Sequence, residues 1–280
     1  MSAASRPLRY DPKFKSYDPL FKRAWAEEIG EVVEGTPYHA SVMDLCISFK
    51  AASHTHTMPQ LMVKGLESFW AAYRDPEHAT AFVPKIINHV TGRVSGELRL
   101  SNKYQKHRLR ESVAKLAVEA DRANKVAQES ETFPADKLWH WYISHDEESA
   151  GQFQLLIWGS QRFCYQSLFH AHESFLRAVL CIKIPKGTNW RPNFELLSDE
   201  TTAHLGAAIA AECVDHEEVD TARIIRNCLA HNGGRVTKTV KDSKHKIVVE
   251  GGMLQIMPDD NRALYALLTD RATKFVRAAV

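Results

Sequence analysis

TARIIRNCLAHNGGRV, Thr221 to Val236, is the stretch from which the rest of the chain is read. It closes a helix that begins near Asp215, and Asn232-Gly233-Gly234 behind it suits a left-handed stop. Asp215, Glu217 and Glu218 give that helix an acidic start, which its dipole favours. The stretch also sets an arginine, Arg226, five positions ahead of a histidine, His231. Histidine exchanges protons near neutrality, and arginine offers a permanently charged fork that grips phosphate at two points. A cationic last turn before a glycine stop is equally a common helix ending.

Downstream the period changes. Lys246 to Val249, Glu250-Gly251-Gly252 and Met253 to Met257 predict a short β-hairpin turning on glycine. Pro258-Asp259-Asp260 then opens a final helix with Leu264, Leu268, Phe275 and Val276 on its apolar side. Upstream, Leu156, Phe163, Leu168, Phe175 and Val179 trace one helical stripe from Ser149 to about Ile182. Lys183 to Asn193, with two prolines and a glycine, is a loop, and Ser198-Asp199-Glu200 is a helix start leading to Ala211.

The first half also predicts helices. Tyr17 to Val33 ends at Gly35-Thr36-Pro37. His39 to Ala52 and Met58 to Tyr73 are separate helices, with Pro59 in the first turn of the second. Asp75-Pro76 and Pro84 interrupt the pattern, and a polar, basic segment runs from Leu98 to Gln128. The polar stretch Glu129 to Pro134 is the candidate boundary. It divides a helical N-terminal region, 1–135, from a C-terminal helical bundle with a small hairpin, 136–280. The fold class is mainly α.

Composition narrows the function classes. The 280 residues are 44% hydrophobic and 25% charged, ordinary globular usage, and the net charge of +2 points to no particular partner. No window approaches the roughly 20 apolar residues of a membrane span, and the polar start MSAASRPLRYDPKFK carries no leader pattern, so a cytoplasmic protein is expected. Five cysteines without a C-x-x-C pair predict reduced, mostly buried thiols. Phosphate loops, nucleophile elbows and dinucleotide fingerprints are absent.

Arg226-Asn227-Cys228-Leu229-Ala230-His231 has the R-N-x-x-x-H form of an R-x(4-6)-H motif. Together with the Asn-Gly-Gly stop and the flanking elements it resembles the HEPN superfamily of small helical domains, over roughly Trp139 to Val280. A second feature of that superfamily, E-x3-[KR] on the upstream helix, is matched by Glu173-Ser-Phe-Leu-Arg177, although such pairs also serve as helix-surface stabilisers. The resemblance implies a metal-independent endoribonuclease without cofactor. Arg226 and His231 would be catalytic, Asn227 supporting, and Glu173 and Arg177 accessory. It further implies a homodimer with a composite active site, a toxin or phage-defence role, and an antitoxin or regulatory partner. The alternative under the same resemblance is a non-catalytic RNA-binding, dimerisation or regulatory module.

The chemistry is intelligible from the residues themselves. Cleavage by the RNA's own 2′-hydroxyl needs that proton removed, charge on the phosphoryl oxygens neutralised and a proton given to the leaving 5′-oxygen. An arginine and a histidine supply two of these. Five residues of α-helix turn about 500°, however, leaving the pair about 140° apart. They converge in one chain only if the helix loosens at its end, and the homodimer that the resemblance implies would bring them together across two chains.

Other groups in the sequence offer metal-binding or phosphate-binding chemistry. His54-Thr55-His56 has the alternation that could share a metal ion on an extended segment, but reads better as a loop with two exposed histidines. Lys103, Lys106, His107 and Arg110 form one basic stripe suited to RNA phosphates or simply to solvent, and Arg235 is a further phosphate candidate. His170 shares its face with Glu173 and Arg177, facing either a cleft or water. Trp139, His140, Trp141 and His145 read as an anchoring cluster.

Overall fold

The computed structural model describes residues 17–74, 87–92, 94–95, 102–130, 147–184 and 190–280. Over these the protein is mainly helical. The elements run α1 (Arg23–Val32), α2 (His39–Arg74), α3 (Lys103–Ser130), α4 (Glu147–Lys183), α5 (Phe194–Leu205), α6 (Ala207–Cys213), α7 (Glu217–His231) and α8 (Lys238–Asp242). Strands β1 (Val248–Glu250) and β2 (Met253–Gln255) and the final helix α9 (Pro258–Ala279) follow. The expected cluster of Trp139, Trp141, His140 and His145 lies outside the described residues, as does the MSAASRPLRYDPKFK start.

The contacts divide the chain elsewhere than at residue 135. One compact unit combines 1–60 with 148–280, and the other holds 61–147. Apolar burial explains the first unit. Ile29 of α1 and Val42, Leu45 and Phe49 of α2 belong to the same buried cluster as Leu168, Phe175 and Leu176 of α4 and Phe275 and Val276 of α9. Trp25 stacks on Phe49 with ring centres 5.7 Å apart and donates its indole N–H to Thr273 at 3.0 Å. The Tyr265 hydroxyl accepts from the Lys22 backbone at 3.0 Å. Each fully buried aromatic or aliphatic side chain contributes on the order of 1.5–3 kcal/mol, so these early helices are structural members of the C-terminal bundle.

One correction concerns α2. The two expected helices are one, and Pro59 lies inside it instead of opening a new one. A proline there deletes a ladder hydrogen bond, but the preceding turn is held by tertiary contacts. Ser53 accepts from the backbone N–H groups of Leu20 and Phe21, and the Gln161 amide of α4 donates to the His56 carbonyl at 3.1 Å. His56 is therefore fully buried while His54 is exposed, in place of two exposed loop histidines. Alternate residues on a helix point about 200° apart, which removes the shared-metal geometry of an extended segment. Among the described residues no group of three His, Cys, Asp or Glu side chains gathers where an ion could sit.

The second half follows its sequence closely. α4 spans the predicted stripe, and the hairpin pairs Val248 with Gln255 and Glu250 with Met253 across Gly251 and Gly252, both at positive φ. The differences are the helix expected through Ala211, which breaks at Gly206 into α5 and α6, the unexpected short α8, and the entry to α5. Helix α5 starts four residues early because the Asn193 side chain, directly behind Pro192, accepts the Leu196 N–H at 2.8 Å. All five cysteines are free, and all but Cys181 are buried. Among the described residues no helix is long and apolar enough to cross a membrane.

Candidate functional site

The motif helix α7 begins at an N-cap His216, whose ring nitrogen accepts from Glu218, and carries Glu217, Glu218 and Asp220 in its first turn. Val219, Ala222, Ile225, Cys228 and Leu229 are its buried face. That face fixes where the neighbouring side chains go. Arg226 lies one residue past Ile225 and turns toward α4, where it forms an ion pair with Glu173. Its guanidinium carbon sits 5.4 Å from the centre of the Phe169 ring, one turn earlier on α4. The Arg226 side chain is 20% exposed and that of Glu173 31% exposed. The buried Nε of Arg226 has no hydrogen-bond partner among the described residues.

Two residues selected separately in the sequence, Glu173 and Arg226, are thus brought together across two helices and 53 positions. Arg177, the other half of the E-x3-R pattern, does not join them. It is half-buried, lines a groove between α4 and α2 with His170, and has no ion-pair partner among the described residues.

His172 lies between these groups on α4 and behaves oppositely. It is 1% exposed, neither ring nitrogen has a hydrogen-bond partner among the described residues, and burial lowers its pKa to about 3. It stays neutral at physiological pH because charging it would cost solvation that nothing restores.

The end of α7 is built by its glycine stop. Gly233 and Gly234 take φ of 61° and 85°, and the Gly234 N–H returns to the Cys228 carbonyl at 3.1 Å. The chain then pairs with the hairpin, Val236 N–H to Gly252 and Leu254 N–H to Gly234, both at 2.9 Å. Arg162 of α4 reinforces the stop by donating to the Leu229 carbonyl at 3.3 Å while stacking 4.0 Å above the Trp158 ring. Trp158 in turn donates to the Leu254 carbonyl at 3.1 Å. A cation at the carbonyl end of a helix is electrostatically favoured.

His231 occupies the last turn and is exposed, with no hydrogen bond or ion pair to its ring among the described residues. Asn227 is half-buried and Arg235 exposed. The helix stays regular through His231, the Asn232 N–H bonding to Cys228 at 3.0 Å, so it does not loosen. Arg226 and His231 therefore keep a separation of about 140° around the axis and roughly 7.5 Å along it. One chain presents them on different faces.

Lys103, Lys106, His107 and Arg110 are all exposed on α3, and His107 faces Glu111 at 3.5 Å. Their helix lies in the 61–147 unit. The chain matches no family model, no curated protein and no solved structure.

Proposed function

We propose that the protein is a metal-independent endoribonuclease of HEPN type, in which Arg226 holds the scissile phosphate and His231 moves protons. The observation that carries this reading is the Glu173–Arg226 ion pair. It joins the motif arginine to the acidic residue that the same resemblance singles out, while His231 stands exposed to solvent.

The mechanism follows from what each group can do. Glu173 and the Phe169 ring fix one edge of the Arg226 guanidinium, and the remaining donors face a phosphate. The histidine takes the proton of the 2′-hydroxyl, whose oxygen attacks phosphorus, or gives a proton to the departing 5′-oxygen, with solvent water accepting or donating the other proton. The products are a 2′,3′-cyclic phosphate and a 5′-hydroxyl. Because the two side chains diverge on a regular helix, a second copy of the chain completes each site, its His231 facing the partner's Arg226. A toxin or phage-defence role with an antitoxin or regulatory partner, in the cytoplasm, comes with the same reading.

A second reading rests on the same ion pair. A carboxylate already occupies the guanidinium that phosphate would need, and this favours a non-catalytic RNA-binding or dimerisation module. RNA incubated in EDTA with wild type and with His231→Ala separates the two. The proposal expects cyclic-phosphate ends from wild type only. Equal cleavage by both proteins removes His231 from the chemistry, and no cleavage by either favours the module.

A further inference from the structure

A groove of about 530 Å³ lies between α2 and α4, outside the contacts described for Arg226. The helices run antiparallel along it, since Gln161 meets His56 at one end while Ser41 and Ala178 line it at the other. From Phe163 to Arg177 it extends about 21 Å at the α-helical rise. Its volume falls in the range of ligand clefts, but its length suits a chain rather than a compact molecule.

The lining mixes polar and apolar side chains. Five serine and threonine side chains contribute, and Asp44 is the sole carboxylate among the lining residues. Along α4, Phe163, His170, Ser174 and Arg177 follow helical spacing and form one row. Arg177 is a half-buried guanidinium with no carboxylate partner among the described residues. Phe163, at the far end, is 62% exposed, although a phenyl ring gains free energy by leaving water. Arginine and serine offer phosphate donors, and an exposed ring offers a base a stacking surface that tolerates any sequence. Glu173, next to Ser174 on α4, holds Arg226, so the groove and the motif arginine share one helix as their support.

We propose that this groove is a track for single-stranded RNA, with a phosphate on Arg177 and Ser174, the strand passing His170, and a base stacked on Phe163. The identity of the strand rests on the ribonuclease reading, and binding is therefore measured apart from cleavage. Asp44 opposes the phosphates and weakens the track.

The test uses the full-length chain and a fluorescein-labelled oligouridylate of about nine nucleotides, within the usual single-strand site sizes. It carries 2′-O-methyl groups, which cannot act as the nucleophile. Binding is read by anisotropy over a salt series. Phe163→Ala weakens affinity roughly 5- to 100-fold, as loss of one stacked base does. Arg177→Gln weakens it and reduces the magnitude of the log Kd against log salt slope by about 0.7, one single-strand phosphate contact. Asp44→Asn tightens it, an effect that damage to the fold does not produce. Failure of wild type to bind overturns the track, as do variants that bind like wild type, or variants that change only the oligomeric state. Unmodified RNA in parallel separates the two claims. Cleavage that ignores the groove variants sinks the track alone, and groove-dependent binding without cleavage sinks the nuclease alone.

Discussion

The middle of α7 and its last turn are five residues apart and differ in nearly every physical respect. Arg226 is oriented by the buried face beside it, paired to Glu173 and laid against Phe169. His231 is exposed on the final turn, and what is rigid there is the backbone, pinned by Gly234, Arg162 and the hairpin. Packing positions the arginine side chain, whereas the helix stop positions the histidine only through its Cα. The charged fork arrives preorganised, and the imidazole is left free to meet something from outside the chain.

The sharpest way to break this contrast is to remove the exposed member. His231→Ala lowers RNA cleavage by about 100- to 10,000-fold, the usual worth of a general acid or base. It leaves the thermal midpoint near that of wild type, because no packing is lost. A large fall in the melting temperature would show that the side chain is structural after all.

Removing the packed member gives the opposite balance. Arg226→Ala leaves Glu173 partly buried without its cation and costs about 1–3 kcal/mol of stability. Glu173→Ala costs a similar amount. A double-mutant cycle by urea unfolding returns a coupling on the order of 1 kcal/mol, above that of exposed pairs such as Arg23–Glu27. Additive single effects would mean the pair contributes nothing.

The backbone stop is tested by its two glycines. An added Cβ at Gly234 lies 3.4 Å from Arg162 and takes a φ of +85°, while at Gly233 it meets open space at +61°. Gly234→Ala costs about 1–2 kcal/mol and Gly233→Ala about 1 kcal/mol, measured as shifts of the urea midpoint. The reverse order would dissociate Arg162 from the stop.

His172, buried on α4, extends the comparison to a histidine that packing holds. With its folded pKa lowered to about 3 and an unfolded value near 6.5, His172 supports the fold fully above pH 6.5. Its contribution declines as pH falls from about 6.5 toward 3, since the unfolded chain takes up a proton that the native one refuses. His172→Phe flattens stability over that window, which chemical denaturation between pH 7 and 4 measures.

The sequence announced parts of this and hid others for physical reasons. α7, its stop, the hairpin and α9 were legible because glycine and proline punctuate them and local chemistry decides there. α2 was not, because His54-Thr55-His56 and Pro59 imitate a break, and tertiary contacts with Leu20, Phe21 and α4 hold that segment in the helix. The Asn193 cap was overlooked beside the stronger-looking Ser198-Asp199-Glu200, and the short α8, capped by Thr237, has too few residues to show a period. Glu173 and Arg226 were each visible, but their contact depends on how α4 meets α7. The groove was invisible, since Phe163 and Arg177 acquire a common wall only when α2 supplies it.

The central claim, that Arg226 and His231 act in one site supplied by two copies, is tested most directly by complementation. Arg226→Ala and His231→Ala are purified, shown inactive separately, then mixed in equal amounts, dissociated and allowed to reassociate before RNA is added in EDTA. Half the dimers are then mixed and each carries one intact site, so cleavage returns to about a quarter of the wild-type rate. A mixture as inactive as its components would contradict the account.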